Sequence, residues 1–314
     1  TSGWLHRHFL SMTDTLDLYP DEIFVPIVAF RNNPPVSLLG NTSALTVWSP
    51  KGFRLNNAHW RWDTGDSGYM QLDMLPDIYG LASGEVNQAG SQALAAEAIL
   101  RTSYQSDYTG SGSIPYEQNG IGRQFSDVAQ LIKLDLGTRL FTLDYGGWDT
   151  HSGQDQAGNF NDRLDELCRG IAAFMDDLDQ SGGSYSQRTT VIIQSEFGRR
   201  LYQNSSNGTD HGNGNFMMAV GKSVNGGIIY GDWPGLYPGT EDEWVTYENP
   251  NGGGTEPELY NGALSVTTDF RRILSEYLSV RCEHTPGTLD FVFPGYTGYS
   301  PMGLFKALEG PSNI

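Results

Sequence analysis

Apolar residues recur at helical spacing in several separated stretches of the chain, with short β-branched or apolar runs between them. Trp4, Leu5, Phe9 and Met12 fall near a 3.6-residue period and predict a helix over Gly3–Met12. Ile23–Phe30 is an apolar run interrupted by Pro26, which predicts an edge or broken strand because proline donates nothing to a ladder. Asn32–Pro35 marks a turn, and Leu45–Trp48 reads as a short strand. Residues 77–105 read as helix, since Gln92–Arg101 is built from strong helix formers. A Gly/Ser/Tyr-rich loop follows over 106–122. Ser126 or Asp127 is placed to cap the next helix, in which Val128, Leu131, Ile132 and Leu136 share a face. Gly137 then ends it in a left-handed position.

The second half repeats the alternation. Arg139–Tyr145 predicts a strand entering the turn Gly146–His151. Phe160, Leu164, Leu167, Ile171, Phe174, Met175 and Leu178 then trace an amphipathic helix, which Ser181–Gly183 stops. Thr189–Gln194 is a continuous β-branched run, the pattern of a strand buried on both faces. Phe216–Val220 predicts another strand and Val266–Val280 a last helix. Strands alternating with helices imply an α/β fold, with a central, mostly parallel sheet covered by helices on both faces. No internal repeat is apparent, and the length of 1–314 suits one large domain or a domain with an appended lobe.

Composition narrows the function. The 314 residues carry 19 Lys+Arg against 37 Asp+Glu, a net charge of −18. The longest basic run is Arg199-Arg200, so the basic stripe that tracks nucleic-acid phosphates is missing. No apolar stretch approaches the roughly 20 residues of a membrane span. An acidic protein acting on anions needs local positive charge, from a metal or a few arginines. Cys168 and Cys282 are two cysteines whose pairing the spacing leaves open. Asn41, Asn204 and Asn207 head glycosylation-type triplets, which are common by chance.

Ligands of open α/β sheets bind at the carboxyl ends of strands, and three clusters fall at or near such ends: Asp149 with His151, Glu196, and Asp210 with His211. Carboxylate plus imidazole suits Zn, Mn, Mg or Fe. Asp149 and His151 are close enough to serve one ion, and His211 brings the third ligand that an open catalytic site needs. A second reading stands beside this one. Asp-x-His in a Gly-rich turn also serves plain turn chemistry, with Asp accepting a backbone N–H, and Glu196 is placed to pair with Arg199 or Arg200. His6, His8, His59 and His284 have no partner pattern.

Gly146-Gly-Trp-Asp-Thr-His-Ser-Gly-Gln154, Ser195-Glu-Phe-Gly-Arg199 and Gly208-Thr-Asp-His-Gly212 together resemble, in order and spacing, an uncharacterised, sulfatase-like bacterial family. That family lies within the alkaline-phosphatase superfamily and is typically exported by the twin-arginine route. The resemblance implies an alkaline-phosphatase-like sheet, a periplasmic or extracellular location and a divalent metal (Zn, Mn, Mg or Ca). Asp149, His151 and His211 would ligate one ion, and Asp210 would ligate or orient His211. Glu196 stands where the superfamily has an Asp-His pair on a second metal, but the next residue, Phe197, has no ligating atom. The superfamily's first strand and its Ser or Thr nucleophile would lie ahead of Thr1, so the chain reads as N-terminally truncated. The implied function is metal-dependent hydrolysis of a phosphate or sulfate ester, on a small-molecule or polymer substrate, with Arg199 or Arg200 stabilising the anionic oxygens. The alternative is a non-catalytic binding or scaffold protein that keeps a partial metal site. On that reading Trp60, Trp62, Tyr69, Trp233 and Tyr237 would line a sugar or polymer surface.

Overall fold

Trp4–Thr15 forms helix α1, which turns Leu5, His8 and Met12 inward at steps of three and four residues. The computed structural model describes residues 2–15, 25–41, 44–50, 75–81, 84–105, 107–182, 185–235, 246–248, 255–257, 259–260 and 263–307. His59, Trp60, Trp62, Tyr69 and Tyr237 lie outside the described residues. By its contacts the chain divides into two compact units, Thr1–Tyr145 with Arg169–Leu178, and Gly146–Cys168 with Asp179–Ile314.

The first unit is built on strand β1 (Ile27–Phe30), flanked by β2 (Ala44–Thr46) and β3 (Leu140–Leu143), with both pairings parallel. Ile27 stands opposite Ala44 on one side and Leu140 on the other. This corrects the expectation of an edge strand, because Ile27, Val28 and Ala29 are fully buried. Pro26 is tolerated because it sits just ahead of the ladder, where its missing N–H costs nothing. Its carbonyl still accepts from the N–H groups of Arg139 at 2.9 Å and Leu140 at 3.3 Å. Leu5, Ile27, Ala29 and Leu38 form a core cluster, with Trp4, Phe9, Ala44 and Leu140 packed against it.

Helix α2 (Glu85–Ser103) follows a separate helical stretch at 75–81, so the predicted helix over 77–105 is interrupted. Gly84, with φ of 70°, stands at the start of α2. Helix α3 (Gly120–Lys133) begins earlier than expected. Its cap is Asn119, whose side chain accepts from the Gly122 N–H at 2.7 Å. Ser126 and Asp127 are buried inside the helix instead. The left-handed position after it falls first on Asp135 (φ 52°), then on Gly137 (φ 71°). Helix α4 (Phe160–Gln180) contributes Arg169–Leu178 to this unit. There Phe174 meets Phe125 with ring centroids 5.3 Å apart.

Asp177 on α4 is 1% exposed. Its carboxylate accepts from Lys133 Nζ at 2.6 Å, the Tyr108 hydroxyl at 2.7 Å, the Tyr116 hydroxyl at 2.9 Å and the Ser111 N–H at 2.5 Å. Its neighbour Asp176 accepts from the N–H groups of Ser113 and Ile114. The predicted loop over 106–122 is therefore ordered by two consecutive carboxylates.

The second unit holds β4 (Val191–Ile193), β5 (Gly198–Arg199), β6 (His211–Gly212) and β7 (Met218–Val220), paired as antiparallel β4–β7 and β5–β6. Helix α5 (Phe270–Arg281) is capped by Asp269, and α6 (Pro286–Val292) by Thr285. Buried Glu276 of α5 accepts from the N–H groups of Met302, Leu304 and Phe305, tying the C-terminal segment to the helix.

The molecule is thus a mixed α/β protein. The expected large central sheet is corrected: among the described residues parallel pairing is confined to three strands of the first unit. β4, expected to be buried on both faces, is half-buried and antiparallel to β7. A β-branched run favours extended backbone, but partner and burial depend on what packs against it. Cys168 and Cys282 are free thiols, and burial pushes the Cys282 thiol up to about 12. Among the described residues no helix is long and apolar enough to cross a membrane.

Candidate metal centre

Two loops of the second unit meet backbone to backbone. In the first, Asp149–Gln154 lies between the Gly-rich turn and α4. In the second, Asn204–Asp210 joins β5 to β6. Gly153 N–H donates to Ser206 O at 2.9 Å, Gln154 N–H to Asn207 O at 2.8 Å and Thr209 N–H to Thr150 O at 3.1 Å. Gly208 makes the approach possible. A Cβ there would stand 2.3 Å from the His151 carbonyl carbon and 2.4 Å from its oxygen, closer than any side chain tolerates. Gln154 adds a polar seam, accepting from the Thr209 hydroxyl at 2.7 Å and the Thr150 hydroxyl at 2.9 Å.

This seam brings Asp149, His151 and His211 together, with one ligating atom from each within 4.8 Å of the others. Asp149 Oδ1 lies 2.8 Å from His211 Nε2 and 3.1 Å from His151 Nε2. Ligand atoms about 2.1 Å from one tetrahedral ion stand roughly 3.4 Å apart, so the spacing suits a shared cation. All three groups are about half exposed. The two imidazoles face one another with centroids 4.7 Å apart. Phe197 lies against His211 at 4.0 Å, so the residue with no ligating atom packs on one that has it.

Asp210 belongs to the same centre, but it engages His151, not His211. Its Oδ1 is 3.0 Å from His151 Nδ1. A carboxylate on Nδ1 holds the proton there and leaves Nε2 as the ligating nitrogen, the arrangement that orients metal-binding histidines. The hydrogen bonds from His151 and then Asn204 hold the Asp210 carboxyl below its ordinary value. For Asp149 partial desolvation pulls upward. Hydrogen bonds from Arg199 and His211 outweigh it, and the carboxyl is again held low.

The arginines are placed differently from one another. Arg199 donates from Nη1 to Asp149, from Nη2 to the Thr209 carbonyl and from Nε to the Thr209 hydroxyl at 3.1 Å. Arg200 turns to Tyr202, donating to its hydroxyl at 2.8 Å. Glu196 is exposed, with the Ser195 hydroxyl 3.4 Å from its Oε2, and is not one of the three clustered ligands. Sequence reading missed Thr209, Gln154 and Asn204, which position the ligands. Gln154 and Thr209 lie within the quoted motifs, and Asn204 heads a triplet noted as common by chance, while its amide serves as a turn former.

Comparison with known proteins gives one family match. A family described as "Protein of unknown function (DUF1501)" matches residues 129–249, a span that includes every candidate residue above. No curated protein and no solved structure matches. No match to a sulfatase or to the alkaline-phosphatase superfamily accompanies it, so the resemblance drawn from the three motifs is corrected. The physical reason is visible in the seam, because short Gly-rich motifs around Asp and His are also what two loops need in order to pack this closely. Over residues 129–249 the chain is similar to that family of unknown function.

Proposed function

We propose that the chain is a metal-dependent hydrolase of phosphate or sulfate esters, with Asp149, His151 and His211 as the ligands. The observation that carries this reading is the convergence of the two imidazole Nε2 atoms and the Arg199 guanidinium on a single oxygen, Asp149 Oδ1. His151 also has Asp210 on its other nitrogen. A neutral imidazole donates from one nitrogen only, so a ring between two carboxylates suits a cation on the Nε2 side. The donor set of one carboxylate and two imidazoles fits Zn or Mn better than Ca, which prefers oxygen alone.

A divalent ion held there would supply Lewis-acid polarisation of an ester oxygen and acidify a water. Three protein ligands with half-exposed side chains leave room for solvent or substrate, as catalytic sites do and closed structural sites do not. Arg199 holds Asp149 in place and keeps positive charge beside it. Anionic esters fit because local cations outweigh the −18 of the whole chain at short range.

One observation favours the second reading, a non-catalytic metal-binding protein. Arg199 is engaged with Asp149 and Thr209, and Arg200 with Tyr202, so gripping ester oxygens would require one of them to exchange partners. Titration with Zn and Mn, combined with aryl phosphate and aryl sulfate assays, separates the two. The expected result is one ion per chain with metal-dependent turnover, both abolished in His211→Ala. Binding without turnover of either ester selects the second reading. If neither metal binds, or His211→Ala binds as well as the unaltered chain, both readings fail.

A further inference from the structure

Asn204 is joined to both loops of the metal centre through every hydrogen-bonding atom of its side chain. Its Oδ1 accepts from the Ser206 N–H at 2.9 Å and the Gly208 N–H at 3.0 Å. Its Nδ2 donates to the His151 carbonyl at 2.9 Å and to Asp210 Oδ1 at 3.0 Å. The two backbone donors fix which end of the amide is oxygen, since an NH2 group there would face N–H groups. The main chain of Asn204 closes the same turn, donating to Gly208 O at 2.8 Å and accepting from Asn207 N–H at 3.3 Å. Asn207 takes a left-handed φ of 57° within it.

We propose that Asn204 is a positioning residue of this centre, and that it aims Asp210 at the Nδ1 of His151. The proposal rests on the metal reading above for its consequence, but not for its geometry. Asp210 Oδ1 receives two hydrogen bonds, one from Asn204 Nδ2 and one from His151 Nδ1. The first aims the carboxylate oxygen, and the second holds the imidazole proton on Nδ1. The remaining donor of the same amide anchors the His151 carbonyl, so the backbone and the ring of one ligand answer to one side chain. Without the amide donors, Asp210 is free to rotate toward solvent and His151 loses its hydrogen bond at Nδ1. The group touches no reacting atom, and its effect passes through the carboxylate and then the ring.

The variant that isolates this role is Asn204→Asp. It keeps an acceptor for Ser206 and Gly208 and removes both donated bonds. Its added negative charge would by itself favour a cation, so weaker binding reports lost alignment and not lost charge. Two readouts are taken on the full chain. The first is proton NMR of His151 without metal at fixed pH, where the unaltered chain shows a protected Nδ1–H hydrogen-bonded to Asp210 and Asn204→Asp loses that protection. The second is Zn titration, where affinity is expected to fall about 10–100-fold, the usual effect of removing such a supporting group. An unchanged His151 Nδ1–H signal in a folded variant overturns the proposal, whatever the metal does. Loss of that signal in a chain that binds no metal upholds the positioning role and removes the metal reading instead. If Asn204→Asp does not fold, Asn204→Ser, which is neutral and too short to reach both acceptors, is read in the same two ways.

Discussion

Gly208 shows how much of the metal centre depends on one absent side chain. Its Cβ position is occupied by the backbone of His151 and by Ser152 N at 2.5 Å, so Gly208→Ala must separate the two loops. Overpacking of this kind costs about 1–3 kcal/mol. The expected outcome is a lower denaturation midpoint together with loss of Zn binding, measured by urea unfolding and metal titration on the same preparation. Gly226→Ala, where an added Cβ meets nothing within 4 Å, is the control and should leave binding unchanged. At this scale the ligand types Asp149, His151 and His211 were legible, because few side chains hold a metal. Their supporting partners were not. Asp210 was expected to ligate or to orient its sequence neighbour His211, but it lies in the loop ahead of β6 and His151 from the other loop is its partner.

Elements were legible where an apolar period was long. α4 runs over nearly the expected span, while shorter signals were misplaced. α3 starts after Asn119 because a cap is chosen by which backbone N–H it reaches, and Gly122 N–H is within reach of Asn119. Within the first unit the Lys133–Asp177 pair joins α3 to α4, with both side chains largely buried. Desolvation raises the Asp177 carboxyl, but Lys133, the Ser111 N–H and the two tyrosine hydroxyls lower it further, and the net shift is downward. A carboxyl depressed on folding stabilises above its unfolded value of about 3.9 and loses that contribution as pH falls through its folded value. Asp177→Asn should therefore destabilise near neutral pH, by about 3–5 kcal/mol since Lys133 is left unpaired. The gap to the unaltered chain should narrow below about pH 4. Urea unfolding at pH 7 and at pH 3 checks both signs; an equal gap at the two would mean that the carboxylate's charge contributes nothing.

For the molecule as a whole, the dominant quantity is the net charge of −18. Self-repulsion of that size opposes the compact state and is screened by salt. Thermal unfolding should accordingly move upward between about 0.02 and 0.5 M NaCl, where the Debye length falls from roughly 20 to 4 Å. A falling midpoint would indicate that paired charges outweigh repulsion. Bound metal should raise the midpoint as well, by linkage, and the two effects separate because only the second disappears in His211→Ala.

The amino-acid sequence by itself determined the mixed α/β character, the net charge of −18 and the residue types able to hold a cation. These follow from local periodicity and side-chain chemistry, which need no knowledge of distant partners. Only the tertiary structure decided that β1 is central and parallel to β2 and β3, that β4 pairs antiparallel with β7, and that Asp210 serves His151. It alone showed Asn204 and Gly208 closing one loop onto the other. Each of these is a pairing between residues far apart in sequence. Backbone approach and hydrogen-bond geometry select such pairings from several that the same residue types would allow.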